Sequence, residues 1–152
     1  MHILFENIMK ELLLLWEGKY KAAQITQTVG GSLGTASNED YVIPEHTWKV
    51  MNAEVSHSNK SVPSQICRGI SSLTTRGFWT AETYSFFMTH LGPILLKGRL
   101  ATKYYQHFLK LSEMARILTQ IEIAEDQLEV VESGMRAWVE QFEKYVIYVA
   151  QS

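Results

Sequence analysis

The chain has 152 residues, 46% of them hydrophobic, with four Trp, seven Tyr and six Phe; that is one domain, residues 1–152, with enough apolar mass for a core, and it excludes wholesale disorder. Its single cysteine, Cys67, excludes an internal disulfide and points to a reducing compartment, the nucleus or the cytoplasm. The formal charge of −2 divides as −2 over residues 1–60, +5 over 61–110 and −5 over 111–152, so the basic middle either contacts nucleic acid or faces the acidic tail inside one fold.

Leu4, Phe5, Ile8, Met9, Leu12, Leu13, Leu15 and Trp16 recur at steps of three and four, which predicts a helix from His2 to Trp16 with Gly18 as its C-cap. The apolar run from Leu12 to Trp16 is far short of a membrane span, and no basic start precedes it, so neither a membrane partner nor a signal peptide is expected. The chain opens almost inside this helix, which suggests a missing upstream segment. Thr26 to Asp40, rich in Gly, Ser and Thr, reads as a flexible loop; its Gly30-Gly31-Ser32-Leu33-Gly34 lacks the Lys-Ser/Thr ending of a phosphate loop.

Pro44 fits the first position of a second helix carrying Trp48, Met51 and Val55 to about His57. Ser58 to Ser64 breaks the pattern, Ser71 to Gly77 makes a second connection, and Thr80 is placed to cap a third helix running to about His90. Gly92-Pro93 is expected to stop it, because proline lacks an amide donor. Thr102 is placed to cap a fourth helix to about Gln120. Leu128, Val131, Met135, Trp138, Phe142, Tyr145 and Val149 form the seam of a long fifth helix, antiparallel to the fourth and joined to it near Ile121 to Glu125. No strand alternation competes with this pattern, and the predicted fold is all-α, an irregular bundle of four to five helices with a long C-terminal helix.

Few constellations carry chemistry. Cys67 beside Arg68 reads as an ordinary half-buried thiol. Glu54 and His57 have Glu-x-x-His spacing, but a di-iron bundle needs that motif twice plus two further glutamates. Glu125, Glu129 and Glu132 share one face of the fifth helix and read as a solvated stripe. Arg68, Arg76, Lys97, Arg99 and Lys103, interleaved with Phe78, Trp79, Tyr104 and Tyr105, are the candidate DNA-phosphate contacts; scattered surface cations are the plainer alternative.

Longer words stand in a definite order: Met1-His2-Ile3-Leu4-Phe5-Glu6-Asn7-Ile8 closing on Leu15-Trp16-Glu17-Gly18-Lys19, Val62-Pro63-Ser64, Phe78-Trp79-Thr80-Ala81-Glu82-Thr83-Tyr84-Ser85-Phe86, Leu91-Gly92-Pro93-Ile94-Leu95-Leu96, Tyr104-Tyr105-Gln106-His107-Phe108, and Gly134-Met135-Arg136-Ala137-Trp138-Val139 with Phe142-Glu143-Lys144-Tyr145. This series resembles CACTA (En/Spm-type) DDE transposases, fungal copies especially, over nearly the whole chain.

The resemblance implies the helical insertion between the second and third catalytic acids of an RNase-H-like nuclease. In that parent family three carboxylates hold two Mg²⁺ or Mn²⁺ ions for in-line attack on phosphorus. All three acids would then lie outside residues 1–152, leaving this chain without catalysis or cofactor of its own. It implies a role bracing the catalytic core, with DNA or the rest of the transposase as partner. The alternative is a non-enzymatic protein-interaction module, a domesticated transposon remnant. His2 matches the histidine of the family's acid-x-x-His word and is the one weak metal candidate; without its acidic partner it reads as a packing or surface histidine.

Overall fold

In the computed structural model, residues 3–19, 40–58, 61, 70 and 72–146 are described. Helices account for every regular element among them, and no strand occurs among the described residues. A wide π-helical stretch, Ile3–Ile8, leads into α1, Met9–Trp16. Next come α2, Glu45–Ser58, a single 3₁₀ turn at Arg76–Phe78, and α3, Ala81–Phe86. A second π stretch, Phe87–Leu91, continues α3 into α4, Gly92–Leu95; α5, Thr102–Leu118, and α6, Glu125–Val146, complete the fold. Counting α3, its π stretch and α4 as one rod gives five helical units, the last and longest at the C-terminal side, as the periodicity predicts. The expected loop at 26–40 lies outside the described residues save for Asp40, and Val149 of the seam lies outside them too.

The end of α1 shows how local sequence sets a boundary. Gly18 adopts φ +74°, and its N–H donates to Leu15 O at 3.0 Å while Lys19 N–H reaches back to Leu14 O at 2.9 Å. These two bonds form a Schellman cap, which needs a left-handed residue that glycine supplies without strain. Thr80 caps α3 as expected, accepting from Thr83 N–H at 3.3 Å. Two other expected boundaries shift by one residue. Glu45 begins α2, with Pro44 just ahead of it offering its carbonyl to Thr47 and Trp48 N–H. Ala101 occupies the N-cap of α5, and Thr102 is already helical.

The larger correction concerns Gly92-Pro93, which does not end the helix. The backbone widens at Phe87–Leu91, so that Gly92 N–H donates to Phe87 O, five residues back, and the chain runs on helically to Leu95. Proline in a helix removes one amide donor and crowds the carbonyl four residues before it, here that of Thr89. Thr89 O instead accepts two bonds from Arg116 on α5, Nε at 2.9 Å and Nη2 at 2.6 Å. A guanidinium 27 residues downstream thus takes the place of the missing amide.

The core is formed where α1, the α3–α4 rod and α5 meet. Met9, Leu13, Phe87, Met88, Leu96 and Leu111 are fully buried, and Trp16 meets Phe108 edge-on at 5.4 Å. Gly92 permits this packing, because a Cβ there would stand 2.8 Å from both Phe108 Cζ and Phe87 O. Each buried Leu, Met or Phe contributes roughly 1.5–3 kcal/mol relative to exposure. Helix α6 lies antiparallel against α5, buries Val131 and Trp138, and leaves most of its remaining surface in solvent. Leu128, expected in the seam, is 49% exposed.

Candidate functional site

Two charged surfaces stand out, and they behave in opposite ways. The basic middle turns inward to meet acids of the first sixty residues. Arg76 Nη2 lies 2.6 Å from Glu17 Oε2, its Nη1 donates to Leu73 O at 2.7 Å, and its guanidinium sits over the Trp48 ring at 5.9 Å. Arg99 grips Glu54 with both amino groups, at 2.6 and 2.8 Å, and holds the Glu54 carboxyl below the usual carboxylate range. Lys103 Nζ lies 3.3 Å from Asp40 Oδ2 and 4.8 Å from the Tyr104 ring centre. Lys97 is exposed, with no carboxylate partner among the described residues.

Four of the five predicted phosphate contacts are therefore placed, and three of those four are paired within the fold. Arg68, His2, Cys67 and the Gly30–Gly34 loop lie outside the described residues. The expectation that the basic middle faces the acidic tail is corrected in its partner. Its cations pair with Glu17, Glu54 and Asp40, all within the first sixty residues. Glu54, half of the Glu-x-x-His pair, is an anchor for Arg99. Among the described residues no three His, Cys, Asp or Glu side chains converge as metal ligands.

The acidic tail stays outward. Glu125, Glu129 and Glu132 are exposed along α6, as the wheel predicts, and of the three only Glu132 has a cationic partner among the described residues, Arg136 at 2.6 Å. Exposed Leu128, Val130 and Val139 lie among these carboxylates.

Behind this outer face is the contact that fixes α6. His107 Nε2 donates to Trp138 O at 2.9 Å, and Trp138 Nε1 returns a bond to His107 O at 3.0 Å. The two rings stack at 4.4 Å and 9°, with Phe142 continuing the stack on Trp138 and Tyr145 meeting His107 edge-on. Because the Trp138 acceptor is a carbonyl, Nε2 must carry a proton. Burial pushes the His107 pKa below its ordinary value, with Lys110 acting in the same direction and the Trp138 carbonyl opposing it. The periodicity flagged Trp138 as a seam residue and missed His107. The available signal was a histidine falling between Tyr104, Leu111 and Met114 on the apolar face of α5.

No helix among the described residues is long and apolar enough to cross a membrane. No protein-family model, curated protein or solved structure matches the chain.

Proposed function

We propose that this chain is a non-catalytic helical brace of a CACTA-type DNA transposase, the insertion that supports an RNase-H-like core, working in the nucleus or the cytoplasm. The observation that carries this reading is the placement of the cations. Arg76, Arg99 and Lys103 join elements far apart in sequence, the latter two across 45 and 63 residues, as groups do whose task is to hold a frame rigid. The ordered resemblance of the sequence supplies the family, and by it the three metal-binding acids fall outside residues 1–152. DNA phosphate is the proposed ligand of the basic middle, with Lys97 and the half-exposed Lys103 as its accessible cations.

The purified chain is expected neither to nick nor to join supercoiled or nicked DNA in Mg²⁺ or Mn²⁺. Either activity would refute the reading. A salt titration of duplex binding measures how many phosphates are engaged, since log affinity falls by roughly 0.9 per neutralised phosphate against log salt. A slope of about one or two agrees with a brace whose other cations are paired internally. A slope near five would mean that the ion pairs open on DNA.

A second reading, the domesticated protein-interaction module, is favoured by the exposed Leu128, Val130 and Val139 on α6. Absence of any DNA binding at low salt would support it.

A further inference from the structure

The outward face of α6 combines two properties that the internally paired basic middle lacks. Helix α6 carries six carboxylates against two cations, and residues 119–135 hold five acids with no Lys, Arg or His among them. Along one side of the helix, Glu125, Leu128, Glu132, Met135, Val139 and Glu143 follow at steps of three and four, which places them in one continuous stripe. Leu128 is 49% exposed, Val139 is 44% exposed and Met135 is half-buried between them. From Leu128 to Val139 the stripe spans about 16 Å, three turns.

We infer that this stripe is a docking face for a cationic amphipathic helix of a protein partner. Leu128, Met135 and Val139 would receive its apolar side, with Glu125, Glu132 and Glu143 meeting its Lys and Arg residues. Helix-in-groove recognition uses anchors at these same spacings. Charge decides against the other occupants. The carboxylates repel nucleic acid and anionic lipid, and a second copy of the chain would set acid against acid. The one cation on this side, Arg136, is already held by Glu132 at 2.6 Å. The inference does not depend on the transposase reading, which is tested by DNA cleavage and salt slope.

The test uses the whole chain and three synthetic peptides of four helical turns: an amphipathic Leu/Lys peptide, its Leu/Glu twin, and a Lys/Ser control without apolar anchors. Calorimetry at low salt is expected to show binding of the Leu/Lys peptide alone, with backbone amide shifts confined to the Leu128–Glu143 side of α6. Leu128→Gln with Val139→Gln, both at exposed positions, is expected to weaken binding about tenfold, or about 1.4 kcal/mol, with an unchanged circular dichroism spectrum. Glu125→Gln with Glu132→Gln is expected to flatten the salt dependence. No binding of the Leu/Lys peptide, equal binding of the Leu/Glu twin, or an affinity unmoved by the Leu128/Val139 pair would overturn the assignment.

Discussion

Replacing His107 by phenylalanine keeps a flat ring against Trp138 while removing the Nε2–H that binds the Trp138 carbonyl, so it isolates the hydrogen bond from the stack. In the native fold both partners are 6% exposed and the rings stack at 4.4 Å. The substitution removes one buried hydrogen bond, a loss of about 0.5–1.5 kcal/mol, with the larger end expected because the site excludes water. His107→Ala also removes the ring and leaves a cavity under Trp138, for which truncation of a buried aromatic is the guide at about 3–5 kcal/mol.

Both changes also remove a pH dependence that the parent carries. The folded pKa of His107 is depressed by burial, so the unfolded chain binds its proton more readily. The associated stability is complete above the ordinary value of 6.5 and is lost as pH falls below it toward the folded pKa, with a slope of at most about 1.4 kcal/mol per pH unit. Urea unfolding followed by tryptophan fluorescence, at pH 7.5 and at steps below 6.5, reads both effects. His107→Phe should be less stable at neutral pH and should lack the acid-side slope attributable to this residue. A variant as stable as the parent, with the same slope, would show that the His107–Trp138 contact does not anchor α6.

Three further outcomes follow from close contacts. Arg116→Met keeps the aliphatic stem but leaves Thr89 O without its two guanidinium bonds; a loss of about 1–3 kcal/mol in urea midpoint analysis is expected, and an unchanged midpoint would mean that Thr89 O finds water without penalty. Gly92→Ala forces a Cβ to within 2.8 Å of Phe108 Cζ and the Phe87 carbonyl, whereas Gly134→Ala meets Met114 Sδ, the end of a flexible side chain. The first should cost about 1–3 kcal/mol and the second clearly less, and the reverse order in thermal melts would contradict this packing. Ser112, 1% exposed with an unpartnered hydroxyl among the described residues, should tolerate Ser112→Ala without loss and gain up to about 1 kcal/mol; a clear destabilisation would reveal a partner for that hydroxyl.

The helical units were legible in the sequence because each carries its own period and its own end signals. Gly18 at the end of α1 and Thr80 at the start of α3 act through bonds that span five residues or fewer, so local reading suffices for them. Pro93 defeats local reading because its compensation, Arg116, belongs to another helix. Thr102 looks as good a cap as Thr80, yet the tight turn at Lys97–Arg99 delivers the chain to α5 one residue earlier. The exposure of Leu128 could not be read either, since a helical wheel gives the direction of an apolar stripe and not how far the neighbouring helix covers its edge. The same limit applied to the candidate site. Spacing showed that Arg76, Arg99 and Lys103 were clustered in sequence, while the carboxylates awaiting them, Glu17, Glu54 and Asp40, come from distant positions that only the folded chain brings near.

The antiparallel pairing of α5 and α6 joins helices adjacent in sequence through a short turn, so its contacts close small loops at low entropic cost. The α1 helix, by contrast, reaches Phe108 through Trp16 from the N-terminal side of the polypeptide, a longer closure whose added entropic cost is only about 1 kcal/mol, because that cost grows with the logarithm of loop length. Because α1 buries Met9, Leu12, Leu13, Leu15 and Trp16 while α6 buries only Val131 and Trp138, amides where α1 meets α5 should be among the last to exchange with deuterium, and those of α6 away from Trp138 should open first.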